Sequence, residues 1–300
     1  MGGEDMNTKL AFIAAHAHDH AVRLLCRVLD VSRGWFHAWQ RTAADRAERA
    51  ARFEALLGEI RAIFKDSKQR YGAPRIHAEL QARGHGVSRK TVAKLMKQNS
   101  IHPPRRKRRM PMTTDSRHSF AIAPNLLSRN FKIMVPDTVW LADISYIPTD
   151  EGWLYLAAVK DLATMEIVGW SMSERLKSTL CEDALKMAIR NRCPAPGLIV
   201  HTDRGVQYAC DSYRKLLRLH HITASMSRKG NCLDNAPMES FFSSLKTEMV
   251  HRTKFQTRRE AKAALFEYIE IFYNRQRRHS SIGYRTPAQA RMDMMMKMAA

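Results

Sequence analysis

The chain has 300 residues, 45% of them hydrophobic, and its 50 Lys and Arg against 29 Asp and Glu give a formal net charge of +21. This composition excludes a disordered chain and a single small domain, and no apolar run approaches the roughly 20 residues of a transmembrane helix. So large a basic excess indicates a polyanionic partner, and we expect nucleic acid rather than a membrane surface.

The cysteines and N-terminal histidines give no metal-binding pattern. The five cysteines are scattered without a CxxC pair, which favours idle thiols in a reducing compartment. His16, His18 and His20 with Cys26 offer one cysteine only, a poor match to zinc spacings. The apolar stretch at residues 11–17 is too short and too rich in histidine for a signal peptide, so we expect a cytoplasmic protein.

Residues 1–45 are predicted to hold a helix-turn-helix-like segment. Apolar residues recur at helical spacing in AVRLLCRVLDVSRGWFHAWQ, and Ser32 is a good N-cap for a second helix. A short helix, a tight turn and a capped basic helix are typical of DNA-binding modules. Simple packing of a helical hairpin is the alternative.

Residues 46–101 are predicted to hold a second such segment. A helix over about residues 47–65, with Phe53 on its apolar face, precedes YGAPRIHAELQARGHGVSRKTVAKLMKQNSI, in which Ser88 caps a basic helix. Apolar residues of this last helix face inward, which leaves its basic side chains for DNA: Arg89, Lys90 and Lys94. A merely solvated basic face is the alternative.

Residues 102–135 are predicted to form a basic linker. Prolines stop the preceding helix, and an unbroken cationic run follows, consisting of Arg105, Arg106, Lys107, Arg108 and Arg109. Such runs contact phosphates without reading bases, or are simply solvated. Between two DNA-binding segments and an acidic site, phosphate contact is favoured.

Residues 136–292 are predicted to form a mixed α/β domain with a five-stranded sheet. Strands are predicted over 139–147, 153–159, 166–173, 198–201 and 222–224, with helices over 179–191, 213–220, 234–250 and 258–278. The Met-rich residues 293–300 are predicted to be a frayed tail, with a hydrophobic contact to a partner protomer as the alternative.

Three carboxylates in this domain form the candidate catalytic site. Asp143 lies within an apolar strand, Asp203 follows a strand end, and Glu239 lies in the first turn of a helix. Lys246 lies two turns beyond Glu239, where it could contact DNA. Oxygen ligands favour Mg²⁺ or Mn²⁺, and two such ions about 3.5–4 Å apart would catalyse phosphodiester chemistry.

Each of these carboxylates also has an ordinary structural interpretation. Asp203 could cap a turn, Glu239 could stabilise a helix N-terminus, and Asp143 could pair with an arginine. The combination with the basic charge and the DNA-binding segments favours the catalytic interpretation. Arg275 and Arg278, at the end of the last predicted helix of the domain, are predicted phosphate contacts.

Four motifs of the second half resemble the OrfB transposases of the IS-three insertion-sequence family, within the DDE transposase and retroviral integrase superfamily. They read WLADISYIP, HTDRGVQY, GNCLDNAPMESFFSSLKTE and YNRQRRHSSIGYRTPAQ, and the resemblance covers about residues 11–292. Between Asp203 and Glu239 lie 35 residues, which is the spacing of the family. The resemblance implies an RNase H-like fold, Asp143, Asp203 and Glu239 as metal ligands, and Lys246 as a DNA contact.

The resemblance also implies a reaction and partners. The expected activity is metal-dependent cleavage of double-stranded DNA at terminal inverted repeats, followed by strand transfer from a 3′-hydroxyl. A metal-dependent nuclease and a non-catalytic DNA-binding regulator of transposition are the alternatives. We expect a homo-oligomer on DNA, an upstream OrfA product or an OrfA–OrfB fusion as partner, and a location at the bacterial nucleoid.

The chain departs from related proteins in two ways. Retroviral integrases have a His/His/Cys/Cys zinc module before the core, and this sequence lacks that spacing. Residues 1–20 show no heptads of the kind expected in an upstream leucine zipper. The sequence therefore resembles the downstream OrfB product alone.

Overall fold

The computed structural model describes residues 6–103, 120–229 and 231–299, without the side chain of Cys232. The chain divides into two compact units, one comprising Met1–Lys68 with Glu79–His102 and the other comprising Gln69–Ala78 with Pro103–Ala300. The predicted basic run of the linker lies outside the described residues. No helix within the described ranges is long and apolar enough to cross a membrane.

The first unit is entirely helical. Its first three helices enclose a small core that includes Ile13, Cys26 and Phe36. The helix before the first predicted helix-turn-helix was not predicted, because its alanines and histidines give little apolar periodicity. Ser32 lies at the predicted N-cap, although its side chain makes no capping hydrogen bond. The helices of this region are α1 (Met6–His16), α2 (Val22–Val28), α3 (Arg33–Arg41) and α4 (Ala43–Asp66).

The second helical pattern is formed by α5 (Ala73–Ala82), whose residues are divided between the two units, and α6 (Arg89–Gln98). As predicted, Ser88 caps α6, its Oγ accepting a hydrogen bond from the Thr91 N–H at 3.1 Å. Val92 and Met96 of α6 are buried. The prediction for Phe53 was wrong: this side chain is 42% exposed, because no residue of α4 between 43 and 56 is buried.

The second unit is built on a mixed five-stranded sheet, as predicted. Its strand order is β3-β2-β1-β4-β5, with β1, β2 and β3 antiparallel and β1, β4 and β5 parallel. The short apolar strand β4 is internal, which agrees with its lack of alternation. The strands are β1 (Val139–Thr149), β2 (Gly152–Asp161), β3 (Ile167–Ser173), β4 (Ile199–Thr202) and β5 (Thr223–Met226).

Helices cover both faces of this sheet. On one face, apolar residues of α7 (Ser178–Arg192), α8 (Val206–Ala209) and α9 (Asp211–Leu219) pack on Trp140 and Ala142. Helix α7 lies very close to β3, since a Cβ at Gly169 would overlap the backbone of Ala184 and Ala188. On the other face lie α10 (Ala236–Glu248) and α11 (Arg258–Phe266).

Three helical segments differ from the sequence predictions. Helix α8 was missed because four residues are too few for a periodic signal. The helix predicted over 258–278 changes at its middle from α11 to a π-helical segment, Glu267–Tyr273. The frayed Met-rich tail was a wrong prediction, because α12 (Pro287–Ala299) extends through it, starting from a proline that favours a first helical turn.

Residues 69–78 form hydrogen bonds with the rest of the second unit. The Tyr71 hydroxyl donates to the Gln276 carbonyl at 3.0 Å and accepts from the Arg278 N–H at 3.0 Å. The Arg75 Nε donates to the Arg278 carbonyl at 2.9 Å, and the Arg70 Nε donates to the Glu248 carbonyl at 3.2 Å. This segment, predicted to belong to the second helix-turn-helix, thus packs with the α/β unit.

Candidate active site

The register of two parallel strands brings Asp143 and Asp203 together. Strands β1 and β4 are paired with Leu141 opposite His201. Continuing this register by two residues puts Asp143 opposite Asp203, immediately after β4 ends. Both side chains are half-buried. The carboxyl end of a parallel strand pair is where α/β sheets commonly build their sites.

Backbone N–H groups orient both aspartates. One Asp143 oxygen accepts from the Ile144 N–H at 2.8 Å, and one Asp203 oxygen accepts from the Gly205 N–H at 2.9 Å. The second bond is the turn-capping role that was the structural alternative for Asp203. Capping uses one carboxylate oxygen, so it is compatible with metal binding through the other.

Helix α10 brings a third carboxylate and a lysine to Asp143. Glu239 lies on an exposed flank of α10, whose buried stripe consists of Met238, Phe241, Phe242 and Leu245. The Lys246 ammonium, two turns along, lies 4.8 Å from the ring centroid of Tyr146, three residues after Asp143.

The charges of these groups act on Asp143. Burial raises the pKa of Asp143 well above its ordinary value, and the negative charges of Asp203 and Glu239 raise it further. The Ile144 N–H and the positive charge of Lys246 oppose this shift. The two neighbouring carboxylates therefore destabilise the charged form of Asp143, and a cation beside Asp143 would relieve that repulsion.

The carboxylates have the donor atoms of a magnesium site, but they are not close enough together to coordinate one ion. Their donors are all oxygen, the set that Mg²⁺ and Mn²⁺ prefer. However, among the described residues no group of three or more His, Cys, Asp or Glu side chains lies close enough together to hold a metal ion. Metal binding at this site therefore requires the side chains to approach one another.

A buried carboxylate that sequence reasoning missed fixes the start of α10. Asp234 is fully buried and accepts hydrogen bonds from the Nε of Arg129 at 2.9 Å, from the Nε and Nη2 of Arg228 at 2.9 and 2.8 Å, and from Asn125 Nδ2 at 3.0 Å. The next residue, Asn235, donates from its Nδ2 to the Ala142 carbonyl at 3.4 Å, beside Asp143. These bonds hold residues 234 and 235, which precede Glu239, and connect them to strand β1. In the sequence, Asp234 resembles a simple helix cap, and one of its arginines lies 105 residues away.

His201, near the end of strand β4, is structural. It is buried, with Nδ1 2.8 Å from Ser225 Oγ and Nε2 3.1 Å from Ser227 Oγ. Burial lowers the pKa of His201 to about 4, so the ring is neutral near pH 7. Because both ring nitrogens are occupied by hydroxyl groups, His201 is not positioned to bind a metal.

The predicted DNA contacts occupy different environments. Arg89, Lys90 and Lys94 are exposed on α6 of the first unit, and Arg275 is exposed in the second. Arg278 is half-buried, and its Nη1 donates to the Tyr284 carbonyl at 2.9 Å. Arg105, Arg106, Lys107, Arg108 and Arg109 lie outside the described residues.

Comparison with known proteins gives three family matches. Residues 135–232 and 239–294 each match an integrase core domain family, and residues 52–109 match an HTH-like domain family. The chain is 44% identical over 268 residues to the insertion element IS600 uncharacterized 31 kDa protein of Shigella sonnei, covering 89% of this chain and 97% of that protein. It is 41% identical over 281 residues to transposase InsF for insertion sequence IS3A of Escherichia coli, covering 94% and 97%.

Solved structures similar to this chain include two from retroviruses. A chain of the simian T-cell lymphotropic virus intasome in complex with PP2A regulatory subunit B56 gamma shares 14% identity, with 73% and 74% of the two chains covered and a TM-score of 0.45. The HTLV-2 integrase catalytic core domain in complex with magnesium shares 16% identity, with 52% and 97% covered and a TM-score of 0.39.

Proposed function

This chain belongs to the IS3 family of insertion-sequence transposases, and we propose that Asp143, Asp203 and Glu239 are the ligands of its catalytic metal. As a member of that family it is a DDE-type transposase with an integrase core, and it binds DNA. The observation that supports the proposed ligands most directly is the β1–β4 register, which sets Asp143 beside Asp203. The charge of Glu239 acts on the same site.

Each residue has a defined part in this proposal. Asp143 and Asp203 hold Mg²⁺ from the sheet, and Glu239 closes the site from α10. Two ions, Mg²⁺ or Mn²⁺, would activate a water or a 3′-hydroxyl and stabilise the leaving oxygen. Lys246, on the Glu239 flank of the helix, contacts a phosphate next to the cleaved bond.

Delivery of DNA to this site is assigned to the basic residues outside it. Segments 1–45 and 46–101 recognise the terminal inverted repeats, the second through Arg89, Lys90 and Lys94. The linker run of residues 105–109, with Arg275 and Arg278, contacts phosphates without reading sequence. A homo-oligomer on DNA, an OrfA partner and a location at the nucleoid complete the proposal.

The experiment that tests it compares Asp203→Asn with Asp211→Asn in the full chain. Asp211 is an exposed aspartate in the first turn of α9, so its change controls for the loss of one negative charge. Assays of Mg²⁺-dependent cleavage and strand transfer on terminal-repeat DNA should show Asp203→Asn reduced by at least about a hundredfold, since metal-site changes have effects of that order. Asp211→Asn should retain activity.

Folding and metal dependence are checked in parallel. Both variants should unfold at temperatures within a few degrees of the parent chain. If folded Asp203→Asn still cleaves and joins DNA with Mg²⁺, the assignment of the metal ligands is wrong. Because joined products are scored separately from cut ends, hydrolysis alone would also be recognised.

A further inference from the structure

A large cationic cavity lies beside α10 in the second unit. Its volume is about 630 Å³, and it is bounded by α10, the end of β2 and the segment that follows the π-helix. No aspartate or glutamate is among the described residues that line it. Its lining includes five basic side chains: Arg75, Lys132, Lys160, Arg277 and Arg285.

Lys160 is the most unusual of these. The residue is only 3% exposed, and its Nζ donates to the Pro237 carbonyl at 3.0 Å. Among the described residues, no carboxylate forms an ion pair with it. The neighbouring Asp161 accepts hydrogen bonds from the Asp137 N–H and from Thr164 instead. The ring centroid of Tyr273 lies 6.0 Å from the Nζ, but a buried ammonium with one carbonyl acceptor is costly unless a further acceptor arrives.

The arginines of the cavity differ from Lys160 because carboxylates compensate them. Arg277 donates from Nη2 and Nε to the two oxygens of Glu248, at 2.7 and 2.9 Å. Arg285 pairs with Asp293 at 2.8 Å. Glu248 also lies 3.8 Å from Arg75, but one carboxylate cannot neutralise two arginines. The cavity therefore keeps a net positive charge, with Lys160 at its buried end.

A hydroxyl-lined groove joins this cavity to the active-site carboxylate. The groove has a volume of about 370 Å³ and runs along α10 from Glu239. It shares with the cavity Arg75, Ala236, Ser240, Ser244 and Arg277. Its hydroxyl groups recur at helical spacing: Ser240, Ser243, Ser244 and Thr247. Groups bound at Glu239 and in the cavity would thus lie along one continuous surface.

We propose that this cavity binds a phosphate group of the DNA strand whose reacting phosphodiester lies at Glu239, with Lys160 as the buried ligand and Arg75 at the entrance. The hydroxyl groups of α10 contact the intervening backbone, and Met134, Tyr273 and Ile282 provide apolar wall for sugar or base. The proposal rests on the proposed function, because it takes the strand from that active site. A free anion such as pyrophosphate has the same chemistry, and the test separates the two.

The test measures binding rather than catalysis. The full chain is titrated, at pH 6.5 in EDTA, against a fluorescein-labelled single-stranded hexathymidylate over a range of salt concentrations. Lys160→Met should weaken binding about tenfold, as expected for one charge-assisted hydrogen bond, and should reduce the salt slope by about 0.7. Ser281→Glu, an exposed change at the cavity lining, should also weaken binding.

Lys186→Met is the matched control. Lys186 is an exposed lysine of α7, on the other face of the sheet, and it pairs with Asp183 at 3.5 Å. Its loss should leave both affinity and slope within about twofold of the parent chain. Because the basic linker also binds DNA, a local readout is added: NMR of ¹³C-labelled lysine, with the Lys160 signal assigned by its absence from Lys160→Met.

Hexathymidylate should raise the pKa of Lys160 by at least about one unit, since a phosphate favours the charged amine. The proposal is overturned if Lys160→Met binds as the parent chain does and the Lys160 signal does not respond. It is equally overturned if pyrophosphate moves the signal and the oligonucleotide does not. Neither result depends on cleavage, so they are independent of the Asp203→Asn experiment.

Discussion

Replacing Lys160 with methionine should make the second unit more stable at neutral pH. Methionine keeps the unbranched shape of lysine and removes a charge that is buried with a single carbonyl partner. Burial, with a smaller effect from Arg277, lowers the pKa of Lys160 from 10.5 to about 7. At about 1.36 kcal/mol per pH unit, this shift corresponds to a cost of about 5 kcal/mol for keeping the amine charged.

The sign of the pH dependence follows from that shift. Between pH 7 and 10.5 the unfolded chain binds a proton at Lys160 that the folded chain lacks, so the parent chain gains stability as pH rises. The Met variant lacks this gain. Because the folded amine is only half charged at pH 7, the advantage there should be about 3 kcal/mol after about 1 kcal/mol is subtracted for the lost hydrogen bond, and it should fall by about 2 kcal/mol by pH 9.

The assay is urea unfolding at pH 7 and pH 9, with hydrogen exchange of β1 and β2 amides to isolate the second unit. Lys186→Met, which changes an exposed lysine, should unfold like the parent chain at both pH values. A Met variant that is less stable at pH 7, or an advantage that does not change with pH, would refute this account. A Met variant that is more stable but binds DNA less well would indicate that Lys160 serves DNA binding at the expense of stability.

Three further changes test what stabilises the packing of the sheet on α7, the residues just before α10, and residues 69–78. Gly169→Ala should destabilise the second unit by at least about 2 kcal/mol in urea, because its Cβ would displace the backbone of α7; an unchanged midpoint would contradict this. Asp234→Asn should cost about 2 kcal/mol through its charged hydrogen bonds. The arginines hold the pKa of Asp234 well below its usual range, so this cost should be present above about pH 4 and vanish in acid; a cost that persists in acid would contradict it. Tyr71→Phe should lower the free energy of unfolding by about 1 kcal/mol for each of the two hydrogen bonds of the hydroxyl, measured by urea unfolding. An unchanged free energy of unfolding would mean that the hydroxyl does not stabilise the fold.

Local patterns in the sequence predicted most of the elements. Strand β1, helix α10 and the Ser88 cap were predicted from neighbouring residues, and each is present in the structure. The five-stranded mixed sheet also followed from the order of strands and helices. The α/β fold class could therefore be predicted from the spacing and order of the elements alone. The resemblance to a known family added the prediction that the fold is RNase H-like.

Nonlocal contacts of the site were not predictable in the same way. That Asp143 stands beside Asp203 depends on β4 being the neighbour of β1, which no local pattern specifies. The same is true of Asp234, whose arginine partners are 6 and 105 residues distant, and of Lys160, which looks like an ordinary strand-end lysine. Buried polar residues were missed because their cost and compensation exist only in the folded chain.

The fastening of residues 69–78 bears on how relatives of this chain can be recombined. Tyr71 and Arg75 bond to Gln276 and Arg278, so the α/β unit is completed by a piece encoded before the linker. A chimaera joined at residue 103 would pair one parent's segment with the other parent's docking surface. Joining at residue 68 instead keeps that surface and its segment from one parent, and such exchanges should inherit an intact catalytic half.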